Sequence, residues 1–126
     1  IPLEMAKRSR YAEEFEGSSL GVAQACGLDH WRLAYQSRSG NPRDPWLEPD
    51  IPRVLKEIQR QGGREVVIVP IGFVCENAEI LYDLDVEVKE SAESLGLVYH
   101  RAGTVIHHPE FVRMVACLVR EVPAKA

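Results

Sequence analysis

Val66-Val-Ile-Val69 is an apolar run too short to make a stable helix, and Pro70, which has no backbone donor, closes it. Uniform hydrophobicity over such a length predicts a strand buried on both faces, the kind found in parallel sheets covered by helices. The flanking segments fit that expectation. Before it, Asp50 is placed as an N-cap, Pro52 falls in the first helical turn, and Val54, Leu55 and Ile58 form an apolar stripe that ends at Gly62-Gly63. After it, a helix is predicted from Glu76 to about Leu95, stopped by Gly96.

The rest of the chain repeats this alternation. A helix is expected over residues 4–26, with Gly27 as its C′ cap and Ser18 or Ser19 opening its better-defined part. Trp31–Ser37 reads as a strand because Trp31, Leu33 and Tyr35 alternate with residues of mixed polarity. Residues 38–50 contain Pro42, Pro45 and Pro49 and are expected to form a loop. A short strand over Leu97–Tyr99 leads through His107-His108 to Pro109, placed at N1 of a last helix whose buried face is Phe111, Val112, Val115, Leu118 and Val119. The predicted fold class is α/β: a three-layer, mostly parallel sheet with helices on both faces. Sheets of this kind bind ligands outside the carboxyl ends of their strands, which selects the loops 37–50 and 71–78. Neither GxGxxG nor GxxxxGK[ST] follows a strand, so dinucleotide and P-loop readings lack their motif.

At 126 residues the chain suits a single domain. Its formal charge of -4 and scattered Lys and Arg argue against a nucleic-acid footprint. The three cysteines are odd in number and widely spaced, which predicts buried free thiols in a reducing compartment rather than a disulfide framework. No apolar run approaches the ~20 residues of a membrane span, and a cytoplasmic location is expected. The chain opens Ile1-Pro2-Leu3 without an initiator methionine, as expected of a fragment or processed product.

Chemistry concentrates in the acidic helix. Glu79, Asp83 and Glu87 recur every fourth position, about 6 Å apart along a helix axis, with Glu76 close to the same face. In regular α geometry such a row drifts by roughly 40° per step, and a local π-bulge straightens it. Ile80, Leu84 and Val88 form a parallel row able to face the core. Hard oxygen ligands at successive depths suit a divalent cation that must be bound and then released, and an inner carboxylate can accept substrate protons. The competing reading is a solvated helix face, supported by Asp85 and Lys89 at i,i+4 and by Glu76 near the positive helix end. Trp46 among its prolines is either a stacking wall for a flat ligand or a loop anchor. His107-His108 are read either as metal ligands or, in a loop before Pro109, as turn and cap residues, and Ser37 has no neighbouring histidine and acid to make it a nucleophile.

Ala34-Tyr-Gln-Ser-Arg-Ser-Gly40 with Pro45-Trp46-Leu47, then Val69-Pro-Ile-Gly-Phe-Val74 and Glu79-Ile-Leu-Tyr-Asp-Leu-Asp-Val-Glu87, resemble the carboxyl-terminal half of the ferrochelatase family over essentially the whole chain. The resemblance implies a lyase of haem biosynthesis that inserts Fe(II), as substrate, into a porphyrin (protoporphyrin IX or coproporphyrin III) with release of two protons. It implies a two-domain enzyme with the porphyrin between two similar halves, of which residues 1–126 would be the carboxyl-terminal domain. Glu79 then corresponds to the active-site glutamate, Asp83 and Glu87, with Glu76, to metal positions along a π-bulged helix, and Trp46 and Ser37 to the porphyrin cleft. The partner is the amino-terminal half, and peripheral membrane contact is compatible with the family.

The family's active-site histidine precedes a Leu-Pro or Ile-Pro pair, so it is expected just upstream of Ile1-Pro2. Asn77 stands where the family usually has histidine, and cannot titrate as imidazole does. The loop Asn41–Pro45 is longer than usual, and no four-cysteine pattern for an iron–sulfur cluster is present. The alternatives are a related class II chelatase placing Co or Ni in sirohydrochlorin, and a diverged module that binds metal or tetrapyrrole without catalysis.

Overall fold

The computed structural model describes residues 1–36, 38 and 43–122. Helix α1 spans Leu3–Ala6 and α2 spans Tyr11–Ala25, so the helix expected over 4–26 is divided. The division follows from Ser9, whose hydroxyl donates to the Ala6 carbonyl and accepts from the Tyr11 N–H, offering the backbone local partners in place of helical ones. Ser19 is not a helix start. It is buried within α2 and donates to the Phe15 carbonyl at 2.8 Å.

Helix α3, Ile51–Arg60, begins as expected, with the Asp50 carboxylate accepting from the Arg53 N–H at 2.9 Å. It ends because Gly62 takes a positive φ of 82° and Gly63 lies against Ile58, where an added Cβ would sit 2.5 Å from a side-chain carbon. Strand β1, Glu65–Ile68, follows, and then a continuous helix made of a π-helical segment, Ile80–Val88, and α4, Lys89–Ser94. Strand β2, Val98–Arg101, returns parallel to β1 with Val66 beside Tyr99 and Ile68 beside Arg101. A helical crossover is what parallel pairing requires. Helix α5, Pro109–Glu121, starts with Pro109 at N1 and His108 Nδ1 accepting from the Glu110 N–H, which is the cap chemistry expected of that histidine.

Ile51 and Leu55 of α3, Val66 of β1, Leu97, and Ile80, Leu84, Val88 and Ala92 of the long helix make the core. Burial of each large aliphatic side chain contributes about 1.5–3 kcal/mol. The chain therefore combines helices with a small parallel sheet, as an α/β class requires.

Four expectations are corrected. Within the described part of Trp31–Ser37 only Tyr35 bridges, in parallel, to Asp50. Its N–H donates to the Pro49 carbonyl at 2.9 Å. Leu33, Ala34, Tyr35 and Gln36 are all half-buried, so the burial alternation of a strand is missing. Next, β1 is not buried on both faces: Val66 and Ile68 look toward the helices, whereas Val67 is 58% exposed, and Val98 of β2 is 56% exposed. On that outer face His100 Nε2 meets Glu65 at 2.8 Å. Finally, Val112, Val115, Leu118 and Val119 of α5 are exposed, because no described element packs over them, and the cysteines Cys26, Cys75 and Cys117 are exposed rather than buried. No helix of the described residues is long and apolar enough to cross a membrane.

Candidate functional site

The acidic helix is started by Asn77. Its side-chain oxygen accepts from the Ile80 N–H at 2.8 Å, and its carbonyl accepts from the Leu81 N–H at 2.9 Å. An N-cap needs a short polar acceptor, and asparagine supplies one without titrating. Glu79 is already in helical conformation (φ -66°, ψ -46°), and the π segment runs from the next residue.

The winding explains the spacing of the side chains. Ile80, Leu84 and Ala92 are 0% exposed and Val88 6%, although in a regular α-helix three steps of four residues would rotate the last away from the first by about 120°. The wider π turn, closed by i→i+5 hydrogen bonds, removes that drift and keeps the row pointed at the core. Asp83 and Glu87, one residue earlier in each step, lie within the same π segment, and Glu79 directly precedes it. Asp83 is half-buried, and Glu79 and Glu87 are exposed. Among the described residues Glu79 and Glu87 take part in no side-chain hydrogen bond or ion pair.

Asp83 and Glu87 line a cavity of about 270 Å³ together with Trp46, Leu47, Gln36 and Arg38. That is below the roughly 300–1,000 Å³ typical of an enclosed small-molecule pocket. Trp46 is held by the first residues of the chain: Pro2 and Trp46 form an antiparallel bridge, the Leu3 N–H donates to the Pro45 carbonyl at 2.8 Å, and the Leu47 N–H donates to the Ile1 carbonyl at 3.2 Å. The structure thus brings Asp83, Glu87 and Trp46 to one cavity. Glu79, one step toward the helix start, is not among its lining residues, and Ser37 lies outside the described residues. Nor does the row form a cage: among the described residues no three His, Cys, Asp or Glu side chains are grouped to hold a metal ion.

Glu76 has other partners. Its carboxylate accepts from the Thr104 N–H at 3.1 Å and from Arg101 Nη1 at 3.2 Å, and the Thr104 hydrogen bond, with help from Arg101, holds its pKa below the usual carboxylate range. Arg101 also grips Asp85 through two parallel bonds, Nη2 to Oδ2 at 3.0 Å and Nε to Oδ1. This fork-to-carboxylate geometry is the strong form of an ion pair, and it pushes the guanidinium pKa up. Asp85 therefore pairs with Arg101, in place of the Lys89 suggested by spacing. Tyr99, two residues before Arg101 on the same face of β2, donates to the Leu84 carbonyl at 2.9 Å. Sequence reasoning passed over Arg101 and Tyr99; their only signal was the two-residue spacing on a strand running beside the helix.

A family model described as ferrochelatase matches residues 1–122. The chain belongs to the ferrochelatase family. It is 43% identical over 122 residues to a ferrochelatase of Rhodopirellula baltica, covering 96% of this chain and 35% of that protein. It is 52% identical over 101 residues to a coproporphyrin III ferrochelatase of Streptomyces coelicolor, covering 79% and 27%. A ferrochelatase of Herpetosiphon aurantiacus is 41% identical over 109 residues, covering 86% and 35%. The chain thus spans about a third of the length of these ferrochelatases.

Proposed function

We propose that this chain is the carboxyl-terminal domain of a two-domain ferrochelatase that inserts Fe(II) into a porphyrin in haem biosynthesis. The observation that carries the reading is the meeting of Asp83 and Glu87 with Trp46 at one cavity, on a helix whose first turn carries Glu79. Trp46 offers a flat apolar face to a tetrapyrrole ring. Asp83 and Glu87 offer hard oxygen donors, spaced so that an arriving divalent ion is handed along rather than caged. Metal insertion removes the ring's two pyrrole N–H protons as its four nitrogens bind the divalent ion, so a base must take up those two protons beside the ring. Glu79, exposed in the first helical turn and without a side-chain hydrogen bond or ion pair among the described residues, fills that role.

Ile1-Pro2-Leu3 pairs directly with Pro45-Trp46-Leu47, which supports an opposing histidine delivered from immediately upstream onto the same cleft. The exposed faces of β1, β2 and α5 support a three-layer arrangement completed by the amino-terminal half of the protein. Coproporphyrin III is the favoured substrate, on the name borne by the Streptomyces relative. The test is anaerobic Fe(II) insertion by the full-length protein into coproporphyrin III and protoporphyrin IX. A higher kcat/KM for coproporphyrin III is expected, and insertion into neither porphyrin would overturn the reading.

A further inference from the structure

We propose that Arg101 is a positioning residue for Fe(II) entry, fixing the rotation of the π segment so that Asp83 and Glu87 face the cavity. The proposal rests on the metal-insertion reading of that cavity. Residues two apart on a helix point to opposite flanks. Asp85 lies two residues from both Asp83 and Glu87, with the buried row of Leu84 and Val88 between the flanks. Gripping Asp85 therefore sets the direction of the two acids on the other side.

Arg101 is suited to that task. Its side chain is only 15% exposed, its fork engages both Asp85 oxygens, and its Nη1 reaches Glu76 before the helix begins. One cation thus pins the middle of the π segment and the segment's approach. It also compensates charge on that flank, so that the uncompensated carboxylates Glu79 and Glu87 lie on the acid row. A wide π turn has no strong intrinsic preference holding it, which makes an external grip consequential. Groups that orient metal-binding residues from behind typically change metal affinity or activity by about 10–100-fold when removed.

The experiment uses the full-length protein with Fe(II) and coproporphyrin III, comparing wild type, Arg101→Gln, Arg101→Lys, Asp85→Asn and Glu79→Gln. Arg101→Gln and Asp85→Asn should each raise the KM for Fe(II) about tenfold with the porphyrin KM unchanged, and Arg101→Lys should recover part of the loss. A purely structural role would lower the amount of active enzyme and leave both KM values in place. If Arg101→Gln does not fold, Asp85→Asn is judged by the same split. An unchanged Fe(II) KM in the folded variants, while Glu79→Gln abolishes turnover, overturns this proposal alone. Failure of the wild type to insert Fe(II) overturns the metal-insertion reading and this proposal with it.

Discussion

The Tyr99 hydroxyl donates a 2.9 Å hydrogen bond to the Leu84 carbonyl, tying the middle of β2 to the middle of the π segment. Burial, with the nearby Asp85 charge adding to it, pushes the Tyr99 pKa up to about 12. The folded protein therefore holds this proton more tightly than the unfolded chain, whose tyrosine ionises near ~10. The stabilisation is fully present below that value and is lost as pH rises toward about 12. Tyr99→Phe should lower stability by about 0.5–1.5 kcal/mol in urea unfolding of the full-length protein and flatten this alkaline loss. Wild-type alkaline sensitivity in the variant would show that another group is responsible.

Leu84 is the centre of the buried row. Leu84→Ala should destabilise the full-length protein by about 2–5 kcal/mol, the range for opening a cavity in a packed core. Leu81→Ala, one turn position away on the exposed side, should cost well under half as much by the same unfolding measurement. Equal costs would contradict the assigned rotation of the helix.

The acids of this helix should separate into two classes. Asp83→Asn and Glu87→Gln should raise the KM for Fe(II) with little change in thermal midpoint, because these side chains line the cavity. Glu76→Gln should do the reverse, since Glu76 is engaged by Thr104 and Arg101. Its lowered pKa means that its contribution to stability is present above the ordinary carboxylate range and is lost as pH falls through the depressed folded value. The wild-type thermal midpoint should therefore drop more steeply in acid than that of Glu76→Gln. A large Fe(II) KM effect from Glu76→Gln would show that it also meets the metal.

What could be read from the sequence was what is local. The four-residue rows of aliphatic and acidic side chains, the Asp50 cap, the Gly62-Gly63 stop and Pro109 at N1 all appear in the structure because each is fixed by neighbours within a turn or two. The Arg101–Asp85 pair spans sixteen residues and leaves no pattern, so spacing favoured Lys89 instead. Amphipathicity identified the apolar face of α5 but carries no information about what covers it. Val66–Val69 similarly announced a strand without revealing that one face would be left open. At residues 31–36 alternating side chains were outweighed by the tie between Tyr35 and Pro49, and Ser9 broke a helix that propensity alone would have continued.

We propose that this helix forms the metal-inserting wall of a ferrochelatase, with Glu79 as the proton acceptor. The most direct measurement is anaerobic Fe(II) insertion into coproporphyrin III by the full-length Glu79→Gln protein, whose folding is verified by its thermal midpoint. A fall in kcat of about 10²–10⁴-fold with the fold intact is expected. Turnover at the wild-type rate would contradict it.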